Sequence, residues 1–183
     1  LRLSVRARFS HNRDALKGTA GFGFWNHPFS RDGAVIDPPR NVWFFHGSPE
    51  SDLRVARGTP GHGFKAAMLN TPPIPLSAGS QPNALSRLAS AAANLALRSR
   101  LLARLAMAAG RHVVNAREQM LDDAVPDLRD WHAYSLDWRA DAAVFSVDGV
   151  ETLRARRPPL GPLGFVAWID NYRVSAAGGR YDW

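Results

Sequence analysis

Hydrophobic and polar residues alternate from the first position. Leu1, Leu3, Val5, Ala7 and Phe9 fall on one side of an extended chain, and Arg2, Ser4, Arg6 and Arg8 on the other. This is the period of a half-buried β-strand. Residues 11–18 read as a turn or loop. Residues 21–24 lead into Trp25 as a second strand, whose glycines let another group approach the backbone closely. Pro28, Asp32-Gly33 and Pro38-Pro39 mark residues 26–40 as a long loop. Residues 41–46, NVWFFH, form a short strand with Val42, Phe44 and His46 on one face and Asn41, Trp43 and Phe45 on the other. Both faces are largely apolar, which predicts burial between two layers. Further strands are expected at 51–57 and 62–70, followed by a linker rich in Pro, Ser and Gly over 71–83.

The period then changes. Residues 84–109 contain neither Pro nor Gly, and Leu85, Leu88, Ala92, Leu95, Leu102 and Leu105 recur at helical spacing among Arg87, Arg98, Arg100 and Arg104. This predicts a helix or helical pair broken near Gly110, with a second helix over 111–123. Alternation returns at Trp131. Strands are expected over 131–138 and 143–147, a tight turn at Asp148-Gly149, a returning strand at 150–154, a proline-rich connector over 158–162, a strand at 164–172 and a short element at 173–183. Strands at both ends around a helical middle predict one mostly-β domain, a sandwich or jelly roll over residues 1–183, with a helical insertion over about 84–123.

Residues 131–149 read WHAYSLDWRADAAVFSVDG. His132, Tyr134, Trp138, Phe145, Val147, Asp148 and Gly149 in this spacing resemble a segment of the family 16 glycosidases and the wider concanavalin A-like group of lectins and glucanases. The resemblance implies a jelly roll with a sugar-binding groove on a concave sheet face. In the enzymes of that group, alternate acids on one strand (Glu-x-Asp-x-Glu or Glu-x-Asp-x-x-Glu) supply a nucleophile and an acid/base. The corresponding strand here has Asn41 and Trp43 where the first two acids should stand, and Phe45 or His46 in place of the last. Hydrolysis needs paired carboxyl groups, so the resemblance implies a binding module for carbohydrate or another ligand, such as an apolar small molecule. The alternative is a divergent glycosidase with displaced acids.

Several residues are candidates for that chemistry. Glu50 and Asp52 are the nearest carboxylates to the strand, and at i, i+2 they suit either a catalytic pair or a solvated strand entrance. His46 suits a general base or a core histidine. Trp25, Trp43, Trp168 and Tyr172 are suited to stacking on a ring or to filling a core. Asn41 and Asp170 would add polar contacts, unless Asp170-Asn171 merely closes a strand. His27, His46 and His62 match no metal-ligand spacing, and neither a phosphate loop nor a dinucleotide fingerprint is present, so no metal or cofactor is expected.

Composition narrows the picture only at its margins. With no cysteine, there is neither a disulfide framework nor a thiolate site. The net charge is +7, and Lys17 and Lys65 are the only lysines among 23 basic residues. This arginine bias reads as genome composition. No zinc-finger, basic-zipper or RNA-recognition pattern accompanies it, so nucleic acid is not an expected partner. The helical segment with its interspersed arginines suits packing on the domain, closure over one end of the sandwich, docking on a partner, or contact with an anionic membrane through 84–123.

Overall fold

The computed structural model describes residues 1–26, 38–54, 56, 58–71, 114–171, 173–175 and 180–182. These residues form eleven strands: β1 (Arg2–Ala7), β2 (Thr19–Trp25), β3 (Arg40–Gly47), β4 (Gly63–Asn70), β5 (Asn115–Met120), β6 (His132–Trp138), β7 (Ala142–Val147), β8 (Val150–Arg156), β9 (Gly164–Asp170), β10 (Arg173–Ser175) and β11 (Arg180–Asp182). Two antiparallel sheets face each other. One has the order β1-β6-β7-β8 and the other β5-β4-β3-β2-β9, while β10 and β11 pair separately. The described part of the chain is therefore a β-sandwich.

Alternation decides which residues fill the space between the sheets. Phe22 and Phe24 of β2, Val42 and Phe44 of β3, and Phe64, Ala66 and Met68 of β4 meet Tyr134, Leu136, Ala143, Phe145, Val147 and Ala155 of the facing sheet. Leu3, Val5, Ala7 and Phe9 pack against the same core, as the opening alternation predicts. Phe44 meets Tyr134 and Phe145 edge-on at 5.2 and 5.4 Å between ring centroids, a favourable arrangement for aromatic quadrupoles. Val147 and Val150 are paired across Asp148 (φ 50°) and Gly149 (φ 83°). Both turn residues thus have the positive φ of a type I′ hairpin, which Asp-Gly supplies at little strain. Asp148 also fastens the turn to β6: it accepts a hydrogen bond from the Ala133 N–H at 2.8 Å and lies 2.6 Å from His132 Nδ1.

Two sequence expectations need correction. Residues 115–120 are strand β5, paired along the free edge of β4 from Lys65↔Met120 to Asn70↔Asn115, and not part of a helix. The run NAREQM has good helix formers, but an unpaired sheet edge offers hydrogen bonds that outweigh so weak a local preference. The chain then turns through 122–124, so no helix occupies 114–123. The proposed helical stretch from 84 to 113 lies outside the described residues. At 51–54 there is a single bridge at Asp52 in place of a strand. Ser48 accepts a hydrogen bond from the Ser51 N–H at 2.8 Å, and Gly61 accepts one from the Leu53 N–H at 3.2 Å, which bends this segment back over the sheet.

Candidate functional site

The face of the five-stranded sheet turned away from the inter-sheet core carries a second apolar cluster. Trp43, Phe45 and Ala67 form its floor, and Trp25, Leu53, Val166 and Trp168 pack around them. The alternation in β3 produces this arrangement: Val42 and Phe44 enter the core, while Asn41, Trp43 and Phe45 point to the other side. The Trp43 ring lies 5.8 Å from Trp25, 5.8 Å from Phe45 and 5.0 Å from Trp168. Trp43 retains 9% exposure, and Trp25 and Trp168 are half-buried on either side of it.

Glycines in β2 make room for these rings. A Cβ at Gly21 would stand 2.6 Å from Cη2 of Trp168, whose indole crosses the strand at that point. A Cβ at Gly23 would stand 2.5 Å from the Trp43 Cα, and Gly23 has φ 153°. The orientation of Trp168 is fixed by its own hydrogen bond: its Nε1–H donates to Thr19 Oγ1 at 3.0 Å, and the Thr19 hydroxyl donates on to Asp170 at 2.9 Å. Asp170 also accepts from the Thr19 N–H at 3.1 Å. Asp170 thus braces an aromatic ring from beneath. Asn41 is 2% exposed, and its Oδ1 is buried with no hydrogen-bond donor among the described residues.

The opposite end of this face is closed by charge. Lys65 of β4 and Glu118 of β5 form an ion pair at 3.2 Å with side-chain exposures of 0% and 1%. The Lys65 ammonium also donates to the carbonyls of Leu53 and Pro60 at 3.1 and 2.8 Å, and the other oxygen of Glu118 accepts from the Ala56 N–H at 3.0 Å. The pair therefore ties Leu53, Ala56 and Pro60 to the sheet. Burial holds the Lys65 pKa below the usual lysine value, and the charge and hydrogen bonding of Glu118 oppose that shift.

The sequence candidates separate in space. Trp25, Asn41, Trp43, Trp168 and Asp170 come together on one face. Tyr172 lies outside the described residues. His46 is on the other side of β3, fully buried, with Nε2 3.3 Å from the Leu16 carbonyl and its ring 6.2 Å from Phe9. Burial lowers its pKa, with a smaller opposing effect from the Leu16 carbonyl. Glu50 pairs with Lys17 at 2.9 Å, and its pKa is lowered to about 2, chiefly by that hydrogen bond. Asp52 pairs with Arg54 at 2.9 Å. Among the described residues, no group of three His, Asp or Glu is placed to hold a metal ion.

Among the described residues, the strands of the aromatic face carry two carboxylates on that side, Asp170 and Glu118, on the two edge strands β9 and β5. Four strand spacings, about 19 Å, separate those strands, against the roughly 5–9.5 Å that glycoside hydrolysis requires. Sequence reasoning missed the Lys65–Glu118 pair. Lys65 could have been suspected as a charge within a run of otherwise apolar and small residues, but Glu118 lay in a segment read as helical.

No family model, curated protein or solved structure matches the chain.

Proposed function

We propose that this protein is a concanavalin-like jelly roll whose outer sheet face binds carbohydrate without hydrolysing it, with Trp43 as the floor of the site and Trp25 and Trp168 as its walls. Residues within 84–113 would supply the helical insertion. The observation that carries the reading is the aromatic cluster itself, in which the Trp43 indole lies 5.8 Å from that of Trp25 and 5.0 Å from that of Trp168, on a face that does not contribute to the inter-sheet core. Indole faces stack on the C–H faces of sugar rings, and the amphipathic ring tolerates a partly wet site.

The orphaned Oδ1 of Asn41 supports the same reading. A buried acceptor without a donor costs about 1–3 kcal/mol, which a ligand hydroxyl would offset. The separation of Asp170 from Glu118 supports binding over hydrolysis.

A glycan array followed by calorimetry tests this. The expected result is binding of a neutral β-linked polysaccharide, weakened at least tenfold in Trp25→Ala and Trp168→Ala with no release of reducing ends. No binding to any glucan, galactan or related polymer would defeat the proposal. Turnover by the wild-type protein would replace it with a hydrolase.

A further inference from the structure

The other sheet presents a different surface. Along β1 the residues opposite the core-facing Leu3, Val5 and Ala7 are Arg2, Ser4 and Arg6, continued by Arg8, and all four are exposed. Within the described residues, Arg2, Arg6 and Arg8 pair with no carboxylate. The neighbouring strand explains this. Across from Arg6 and Ser4, β6 offers Ala133 and Ser135, and Asp137, across from Arg2, is already bound by Arg139. On the far edge of the same sheet, Arg156 also points outward and Arg154 is engaged by Glu151.

Trp131 stands at the end of this strip, 51% exposed. The guanidinium carbons of Arg6 and Arg8 lie 5.2 and 5.0 Å from its ring centroid. Two like charges are thereby held beside one aromatic ring by cation–π attraction, with their N–H donors free for an external anion.

We propose that this face docks on an anionic lipid bilayer, with Arg2, Arg6 and Arg8 meeting headgroup phosphates and Trp131 lodging at the interface. The distribution of charge favours a planar partner. The unpaired arginines run along β1 for about 20 Å and reappear on β8, about 14 Å away across the sheet, so the positive charge covers an area. Between these edges Ala133, Ser135, Val144 and Ser146 are small, and the outward Asp137 of β6 is paired with Arg139. An exposed indole among arginines suits the headgroup layer, where its ring is half apolar and half wet. This surface is separate from the aromatic face, which lies on the other sheet.

The test is co-sedimentation of the full chain with vesicles of phosphatidylglycerol in phosphatidylcholine, and with phosphatidylcholine alone. Binding is expected only to the anionic vesicles. The Arg6→Ser/Arg8→Ser variant should lower the partition coefficient about thirtyfold, and Trp131→Ser should weaken it further. Because these side chains are exposed, the thermal transition of each variant should match that of the wild type. Three outcomes would overturn the proposal: no sedimentation with anionic vesicles at low salt, an unchanged partition coefficient in the double arginine variant, or retention on heparin or single-stranded DNA through these arginines without vesicle binding.

Discussion

Lys65 holds its charge where no solvent reaches it, and Glu118 is the reason it can do so. Removing one member of such a pair strands the other, which costs about 3–5 kcal/mol, whereas replacing both with apolar groups is often close to neutral. Lys65→Met should therefore destabilise the protein by about 3–5 kcal/mol in urea unfolding. Adding Glu118→Leu should recover at least half of that loss. Recovery stays incomplete because the carbonyls of Leu53 and Pro60 lose their donor. Equal stability of the single and double variants would mean that the pair is not coupled.

His46 gives a second expectation at this scale. Burial lowers its folded pKa, so below the ordinary histidine value of about 6.5 the unfolded chain takes up a proton that the folded protein refuses. Stability is then intact above that pH and falls as pH drops towards the lower folded value. His46→Gln keeps a donor for Leu16 and should flatten this limb of a stability–pH profile; a slope equal to wild type would place the titration elsewhere.

Among the elements, β2 most directly links sequence to site. Its inward residues Phe22 and Phe24 are large, and its outward Gly21 and Gly23 are absent side chains over which Trp168 and Trp43 lie. Gly23→Ala would set a Cβ 2.4 Å from the Val42 carbonyl oxygen and 2.5 Å from the Trp43 Cα, both backbone atoms that cannot rotate away. The expected result is a loss of about 2 kcal/mol or more, with a shift in tryptophan emission as Trp43 moves. An unperturbed spectrum and stability would show that β2 and β3 can separate without cost.

The same strands show how far the sequence could be read. Alternation of apolar and polar residues in 1–10 and in 131–138 identifies strands and faces, because such a pattern admits only one buried side, whereas in 41–46 both sides are apolar and both are buried. The glycines of β2 announce a close approach but not what approaches. For β5 the local pattern misleads, since Ala, Arg, Glu, Gln and Met favour helix and only the open edge of β4 makes them a strand. The site was legible only as residue types, Trp25, Asn41, Trp43 and Trp168, because alternation in β3 separates Asn41 and Trp43 from Val42 and Phe44 without saying which set meets the facing sheet. The Thr19–Asp170–Trp168 chain of hydrogen bonds and the Lys65–Glu118 pair were not legible, because each joins strands adjacent only in the folded sheet.

At the scale of the whole molecule, the two outer faces differ in the physics available to them. Among the described residues, the charges of the aromatic face have partners in place, Lys65 in Glu118 and Asp170 in the hydrogen bonds it accepts from Thr19. Stacking there depends on contact and desolvation, which salt hardly changes. The arginine face keeps its charge open, in a chain of net charge +7. Its attraction to an anionic surface acts over a Debye length, which shrinks from about 10 Å at 0.1 M salt to about 3 Å at 1 M. Salt should therefore separate the two activities in one protein. Between about 0.05 and about 0.5 M salt, affinity for a neutral glycan should change less than about twofold, while partition onto anionic vesicles should fall at least about tenfold. If both fell together, the arginines would be contributing to the glycan site and the faces would act as one surface. If neither fell, vesicle binding would be apolar, and Trp131 would be its main contact in place of the arginines.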